Sequence, residues 1–242
     1  MNFRDYYRHN VTYIERPDRR LSRIIGLVEE LHPGSLLDLA CGSGYLLDQL
    51  ATRIDAELTG VDVYDEQPGK SWRYRAADLT AGVPFDDASF DVVVAGEIIE
   101  HVPDPDALLR EIRRVLRPGG HLVLSTPNIV SWANRLLVPL GVQPLFTETS
   151  SEMHLGRRLR VLGQGNQVQG HLKIFTHRAL AEILERTGYR TIRRIGVPAE
   201  FPVPVSLVDR LFTRWIGLSS GLLFVAEALR DPPVPPVPRP YV

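Results

Sequence analysis

Short apolar runs separated by stretches of helical period set the strongest limit on this fold. Ser35–Ala40 (SLLDLA), Leu58–Val63 (LTGVDV), Phe90–Ala95 (FDVVVA) and His121–Ser125 (HLVLS) are short and largely apolar. Strands of that kind are covered on both faces, as in parallel sheets. Trp72–Ala77 reads as a further strand, and Thr191–Val197 and Leu222–Ala228 as the last two. Between them lie helical patterns. Pro17–His32 places Leu21, Ile24, Ile25, Val28 and Leu31 on one face, and Pro33-Gly34 ends it. The helix after Cys41-Gly42-Ser43-Gly44 carries Leu46, Leu47 and Leu50, and Asp106–Leu116 carries Leu108, Ile112, Val115 and Leu116. Thr176 can cap another, with Leu180, Ile183 and Leu184 inward and Gly188 as its stop. Such alternation predicts an α/β fold with right-handed crossovers and a doubly wound, mostly parallel sheet.

Two regions break the alternation. Asn128–Phe175 is a long insertion after the fifth strand, and long excursions are more often functional than accidental. The tail Asp231–Pro240 (DPPVPPVPRP) can form neither a helix nor a central strand. Pro118-Gly119-Gly120 is expected to separate the third helix from the strand beginning at His121. The 242 residues suit one domain. A net charge of -1 argues against a general nucleic-acid binder. The single cysteine rules out an intrachain disulfide and fits a reducing, cytoplasmic compartment. The amino terminus lacks an apolar signal core, and Trp215–Leu229 is too interrupted to span a bilayer, which takes ~20 apolar residues. Peripheral membrane contact stays open.

Ligands of a doubly wound sheet bind at the carboxyl ends of the strands near the switch point, where the first strand leads. Gly42 and Gly44 sit in that turn, and their missing side chains permit close approach to the backbone. A nicotinamide fingerprint wants a third glycine where Leu47 stands, and the Gly-Lys-Ser/Thr ending of a P-loop is absent. Asp38 would repel phosphates and suits a cationic, phosphate-free ligand. Asp62 closes the second strand with two oxygens able to accept both hydroxyls of a ribose, and Asp78 after the third strand can accept from an adenine amino group. Each has a plainer alternative: punctuation for the glycines, caps for Asp38 and Asp62, a turn former for Asp78.

Taken together these segments resemble the class I S-adenosylmethionine-dependent methyltransferases. The matching stretches are LLDLACGSGYL at Leu36–Leu46, GVDV at Gly60–Val63, AADL at Ala76–Leu79, FDVVVAGEIIEHVPDP at Phe90–Pro105 and RVLRPGGHLVLSTPN at Arg114–Asn128. Ala40 stands where the family's glycine triplet begins. The resemblance implies a Rossmann-like seven-stranded sheet with an antiparallel last strand. It implies one methyltransferase domain over residues 1–230, with an amino-terminal lid helix in 1–33, an acceptor-binding insertion at 128–175 and a Pro-rich tail at 231–242. The implied methyl donor is S-adenosylmethionine, leaving as S-adenosylhomocysteine. Its implied contacts are Asp38, Ala40, Cys41, Gly42, Gly44, Asp62, Val63, Asp78, Leu79 and Glu97. GEIIEHVPDP and PGGHLVLSTPN are most similar to the ubiquinone-pathway O-methyltransferases, and the likeness extends to enzymes of sugars and natural products.

A small-molecule hydroxyl is the expected acceptor, on a sugar, a phenol or quinone, or a natural-product intermediate. Transfer by in-line displacement gains from alignment, and a hydroxyl proton calls for a general base. His101, His154 and His171 are the candidate bases, each with a structural alternative. No metal ligand set is expected. Arg157, Arg158, Arg160 and Lys173 form either a solvated surface or a clamp for an anionic acceptor. Tyr6, Tyr7 and Tyr13 either close over the cofactor or pack on the domain. Nucleic-acid amino-methyltransferases carry Asn/Asp-Pro-Pro-Tyr/Phe after the fourth strand, where this chain has Gly96-Glu97-Ile98-Ile99. The alternatives are N- or C-methylation, a nicotinamide-dependent oxidoreductase disfavoured by Leu47 and Asp38, and a non-catalytic cofactor-binding protein.

Overall fold

The computed structural model describes residues 18–64, 70–156 and 168–230. Its strands are β1 (Ser35–Leu39), β2 (Glu57–Asp62), β3 (Arg73–Ala76), β4 (Phe90–Gly96), β5 (Leu116–Pro127), β6 (Tyr189–Val197) and β7 (Gly221–Ala228). They form one sheet in the order β3-β2-β1-β4-β5-β7-β6. β1 to β5 pair in parallel, and β7 runs antiparallel to both neighbours, as expected. The order reverses between β1 and β4, which places the switch point beside the glycine turn.

The helices are α1 (Arg19–Leu31), α2 (Tyr45–Leu50), α3 (Pro105–Val115), α4 (Trp132–Leu137), α5 (His177–Arg186) and α6 (Val205–Phe212). Because side chains alternate along a strand, the nearly continuous apolar runs feed two cores at once. Val92 and Val94 of β4, with Leu36, Val123 and Val225, pack beneath α1 and α2. Val93 and Ala95, with Leu37, Leu122 and Phe224, meet Leu108, Leu109 and Ile112 of α3 and Leu180 and Leu184 of α5. Each fully buried side chain of this size contributes about 1.5–3 kcal/mol.

The caps follow the sequence. Asp18, Asp104, Ser131 and Thr176 accept from the first free amides of α1, α3, α4 and α5. His32, in left-handed conformation at φ 47°, ends α1 before Pro33. Pro118-Gly119-Gly120 is a correction to the expected break. β5 begins at Leu116, which pairs with Phe90, and the register shifts between Phe90 and Val92. The motif is therefore an irregularity within a strand, with Gly119 at φ 84°. A Cβ on Gly120 would lie 3.0 Å from the Asp91 carbonyl oxygen. α6 was not legible: Pro204 precedes it and no side chain caps it.

The two ends of the insertion meet. Asn128 and Phe175 form an isolated parallel bridge, and the Ile129 N–H donates to the Phe175 carbonyl at 3.1 Å. Of the expected amino-terminal lid, Arg19–Leu31 packs five side chains into the core, while Tyr6, Tyr7 and Tyr13 lie outside the described residues. Arg157, Arg158, Arg160 and the tail at 231–242 lie outside them as well.

Candidate functional site

The carboxyl end of β1 turns at Ala40, whose φ of 56° is left-handed. For a residue with a Cβ that conformation costs on the order of 1–2 kcal/mol, and the surroundings must hold it. They do so through backbone bonds: the Cys41 N–H donates to Val61 O at 3.2 Å and the Gly44 N–H to Cys41 O at 2.8 Å. Asp62, ending β2, accepts from the Gly42 N–H at 2.7 Å on one carboxylate oxygen. Its other oxygen accepts from the Val63 N–H at 2.6 Å. Each oxygen keeps room for a further donor. Asp62 thus ties the turn to the second strand, with acceptor capacity to spare.

At Gly44 the expectation needs correcting. A Cβ there would lie 2.0 Å from the Trp72 indole, so this glycine makes room for a side chain of the protein itself. Trp72 also covers Gly60, and its Nε1–H donates to Asp48 of α2 at 2.8 Å. Lys70 closes the same carboxylate at 2.6 Å.

Asp38 is 5% exposed. Burial, then the neighbouring Asp62, pushes its carboxyl up to about 8, against the pull of Arg20. Burial also raises Asp62, opposed by the amides of Gly42 and Val63. At the end of β4, Glu97 is again left-handed at φ 56°. It accepts from the Ser125 hydroxyl at 2.9 Å. Arg20 reaches the same place from the first turn of α1, donating to Ser125 Oγ at 3.3 Å and lying 3.9 Å from Glu97. Arg20 is the residue that sequence reasoning missed. Its only signal is an arginine at the start of the helix before the first strand, ahead of every motif.

Asp78 is exposed, and its Oδ1 accepts from the Thr80 N–H at 2.9 Å and hydroxyl at 2.6 Å. The Leu79 side chain belongs to the core. Burial and the carboxylates of Asp38 and Asp62 push the Cys41 thiol upward, which leaves it protonated.

Beyond β4 the chain enters a second cluster. Glu100 is fully buried; one oxygen accepts from the Thr126 hydroxyl at 2.9 Å, while Oε1 has no hydrogen-bond partner among the described residues. Burial, and next Glu97, hold its carboxyl well above the usual range. Its carbonyl accepts from the amides of Leu172 and Lys173 at 2.7 and 3.0 Å, bringing the end of the insertion alongside. His171 and His101 then lie with ring centroids 4.7 Å apart. His101 Nδ1 bonds the Gly170 carbonyl at 3.3 Å and His171 Nδ1 the Phe146 carbonyl at 2.7 Å. A carbonyl can only accept, so each Nδ1 donates the proton of its bond. His101 Nε2 is 3.9 Å from Glu100 Oε1. Burial, and next His171, lower His101 to about 4, so it is neutral at physiological pH. Glu148 fixes the approach by accepting from the amides of Gln169, Gly170 and His171 at 2.6, 2.7 and 3.2 Å. One ligand atom each from Glu100, His101 and His171 lies within 4.8 Å of the others, a grouping of potential metal ligands that sequence spacing does not announce. His154, half-buried in the insertion, is not in that group.

A family profile described as a methyltransferase domain matches residues 7–193. The chain is 32% identical over 182 residues to 27-O-demethylrifamycin SV methyltransferase of Amycolatopsis mediterranei, covering 68% of this chain and 61% of that protein. It is 34% identical over 125 residues to the ubiquinone biosynthesis O-methyltransferase of Idiomarina loihiensis, covering 47% of this chain and 51% of the relative. The chain therefore spans only about half to three fifths of the length of these two relatives. In fold it is similar to the Burkholderia thailandensis 1,6-didemethyltoxoflavin-N1-methyltransferase, solved with 1,6-didemethyltoxoflavin and S-adenosylhomocysteine. The TM-score is 0.56 at 18% identity, over 87% of this chain and 79% of that one.

Proposed function

The chain belongs to the class I S-adenosylmethionine-dependent methyltransferases, and from that premise we propose that it methylates a hydroxyl group of a small molecule, with the His101–His171 pair as general base. The observation that carries the reading is that pair: two imidazoles brought together from distant parts of the chain, each with Nδ1 committed to a carbonyl. The residues of the switch-point crevice fit the methyl donor. Asp38 and Glu97 offer carboxylates to its ammonium and sulfonium charges, and Asp62 has acceptor capacity for the ribose hydroxyls. Arg20, lying among these acids, supplies a cation for the methionine carboxylate. Asp78, exposed and engaged with Thr80 on one oxygen, keeps a carboxylate oxygen for the adenine amino group.

Bound S-adenosylmethionine supplies a methyl carbon made electrophilic by its sulfonium sulfur. The protein holds the acceptor oxygen in line with that carbon, which can account for much of the rate. One imidazole of the pair takes the hydroxyl proton as the oxygen gains its bond to carbon and the carbon–sulfur bond breaks, with S-adenosylhomocysteine leaving. Low basicity at His101 keeps the imidazole unprotonated down to acidic pH. Burial, and next Glu97, hold the Glu100 carboxyl beside the pair well above the usual carboxylate range. Hydroxyl rather than amino acceptors are favoured because relatives of this sequence include proteins named as O-methyltransferases. The insertion supplies the acceptor's surroundings, with Lys173 available to an anionic substituent.

A screen with methyl-labelled cofactor over phenols, quinols, sugars and polyketide hydroxyls tests the reading. Label is expected in an O-methyl group. Exclusive transfer to nitrogen or carbon would overturn the hydroxyl assignment.

A further inference from the structure

We infer that the face formed by α4, α6 and their flanking turns seats the protein on the surface of a lipid bilayer carrying anionic headgroups, with the acceptor site at the seated edge. Large apolar side chains stand in solvent on both segments. Leu136, Val138 and Leu140 (76% exposed) lie on and after α4, and Val203, Leu207, Val208, Leu211 and Trp215 on and around α6. Isolated exposed leucines mean little, but several on two adjoining helices mark an interaction surface.

The two helices form one layer. Trp132 of α4 stacks on Phe212 of α6 at 5.4 Å, and its Nε1–H donates to Asp209 at 2.7 Å. Asp209 is fully buried and also accepts from the Ser220 hydroxyl at 2.6 Å and the Ala199 amide at 2.8 Å. The one acid within α6 is thereby turned inward, leaving the outer side apolar and basic. Pro127 and Val197 are both in register with Gly221, so both segments rise from the carboxyl edge of the sheet, the edge that carries the site. Phe146 packs with Trp132 and Leu137 and gives its carbonyl to His171, which joins this layer to the histidine pair.

Charge selects the occupant. Arg210 and Arg214 are exposed on α6 and the turn after it. Arg135 donates to the Gly217 carbonyl at 3.3 Å, and Arg135, Arg178 and Arg194 all act on His177, which faces Gly217. An apolar face with a tryptophan and a rim of arginines matches the interface of an anionic bilayer: acyl boundary under the leucines, phosphates at the guanidinium groups. A second copy of the chain fits poorly, because a twofold contact sets the same patch against itself and faces arginines with arginines.

Sedimentation of the full chain with vesicles tests this. Vesicles of phosphatidylglycerol and phosphatidylcholine are compared with pure phosphatidylcholine at physiological and high salt. Binding is expected to the anionic vesicles, weakened by salt, with a blue shift of tryptophan emission. Leu207→Asp with Leu211→Asp should reduce partitioning at least about ten-fold, while Ile192→Asp, on β6 away from the face, leaves it unchanged. Arg210→Glu with Arg214→Glu keeps the apolar face and should weaken anionic binding by more than about ten-fold, at roughly five-fold per arginine lost. S-adenosylhomocysteine affinity, measured alongside, should be unchanged in every variant. Failure of the wild type to bind either vesicle would overturn the proposal, as would equal binding by the arginine variant. A concentration-dependent dimer in light scattering that Leu211→Asp dissolves would assign the face to a second copy instead.

Discussion

Asp38 is subject to opposing effects in the free and the liganded protein. Burial raises its carboxyl to about 8, so the free protein holds a proton there that the unfolded chain gives up near pH 4. Folding stability from this group is therefore full below about pH 4 and declines as pH rises towards 8. Under the proposed contact with Asp38, a cationic cofactor is expected to reverse the preference and expel the proton. Asp38→Asn should raise the melting temperature of the free protein above pH 7 and weaken cofactor binding at least about ten-fold, as expected for loss of a charged partner. Scanning calorimetry and titration calorimetry in buffers of different ionisation enthalpy read the two effects, and wild-type binding without proton release near pH 7 would contradict them. His101 has the opposite sign: with a folded value of about 4, stability is lost as pH falls from about 6.5 towards 4. The acidic limb of kcat/KM should accordingly lie below the ordinary histidine range. Replacing the working histidine with Gln should cost about 10²–10⁴-fold in kcat with S-adenosylhomocysteine affinity kept. If His101→Gln and His171→Gln both turn over normally, the base assignment fails. At this scale the sequence made Asp38, Asp62 and Glu97 legible because they sit at fixed offsets from strand ends. The His101–His171 contact was not, since Glu148 and the carbonyls of Phe146 and Gly170 create it across the insertion.

Elements were read best where apolar period and caps agreed, as at α1, α3 and α5 and strands β1, β2 and β4. They were read worst where a glycine or proline carried the boundary. Pro118-Gly119-Gly120 looked like an end and is an irregularity inside β5, because the partner strand continues past it. α6 has no side-chain cap and is tied to α4 by the Phe212–Trp132 stack and the Asp209–Trp132 hydrogen bond, contacts that leave no local signal. The turn from β1 into α2 makes a sharper prediction. Gly44 has φ 75° and Trp72 lies where its Cβ would be. Gly44→Ala therefore combines backbone strain with overpacking of a rigid indole and should destabilise the protein on the order of 2–4 kcal/mol. Gly141→Ala, at φ 70° with open space around it, should cost only the strain, about 1 kcal/mol. Urea denaturation of both variants separates packing from conformation, and equal costs would show that Trp72 yields freely.

Across the whole molecule, the doubly wound sheet does one thing for function: its order reverses between β1 and β4, and the acids of three strand ends gather there. The Asn128–Phe175 bridge brings the two ends of the insertion together at the carboxyl end of β5. Identity of the methyl donor follows from strand ends that any member of the fold must build. The contacts of the insertion, such as those of Glu148 and Phe146 with His171, are long-range and leave no period in the sequence. We propose that the ends of β1, β2 and β4 bind S-adenosylmethionine. Calorimetric titration of S-adenosylmethionine into the wild type and Asp62→Ala, with the fold of each checked by circular dichroism, tests it most directly. Saturable one-to-one binding that the folded variant loses by at least about ten-fold is the expected result, since charged hydrogen bonds are worth about 1.5–3 kcal/mol each. Absence of binding by the wild type, or equal affinity in the variant, would contradict the assignment.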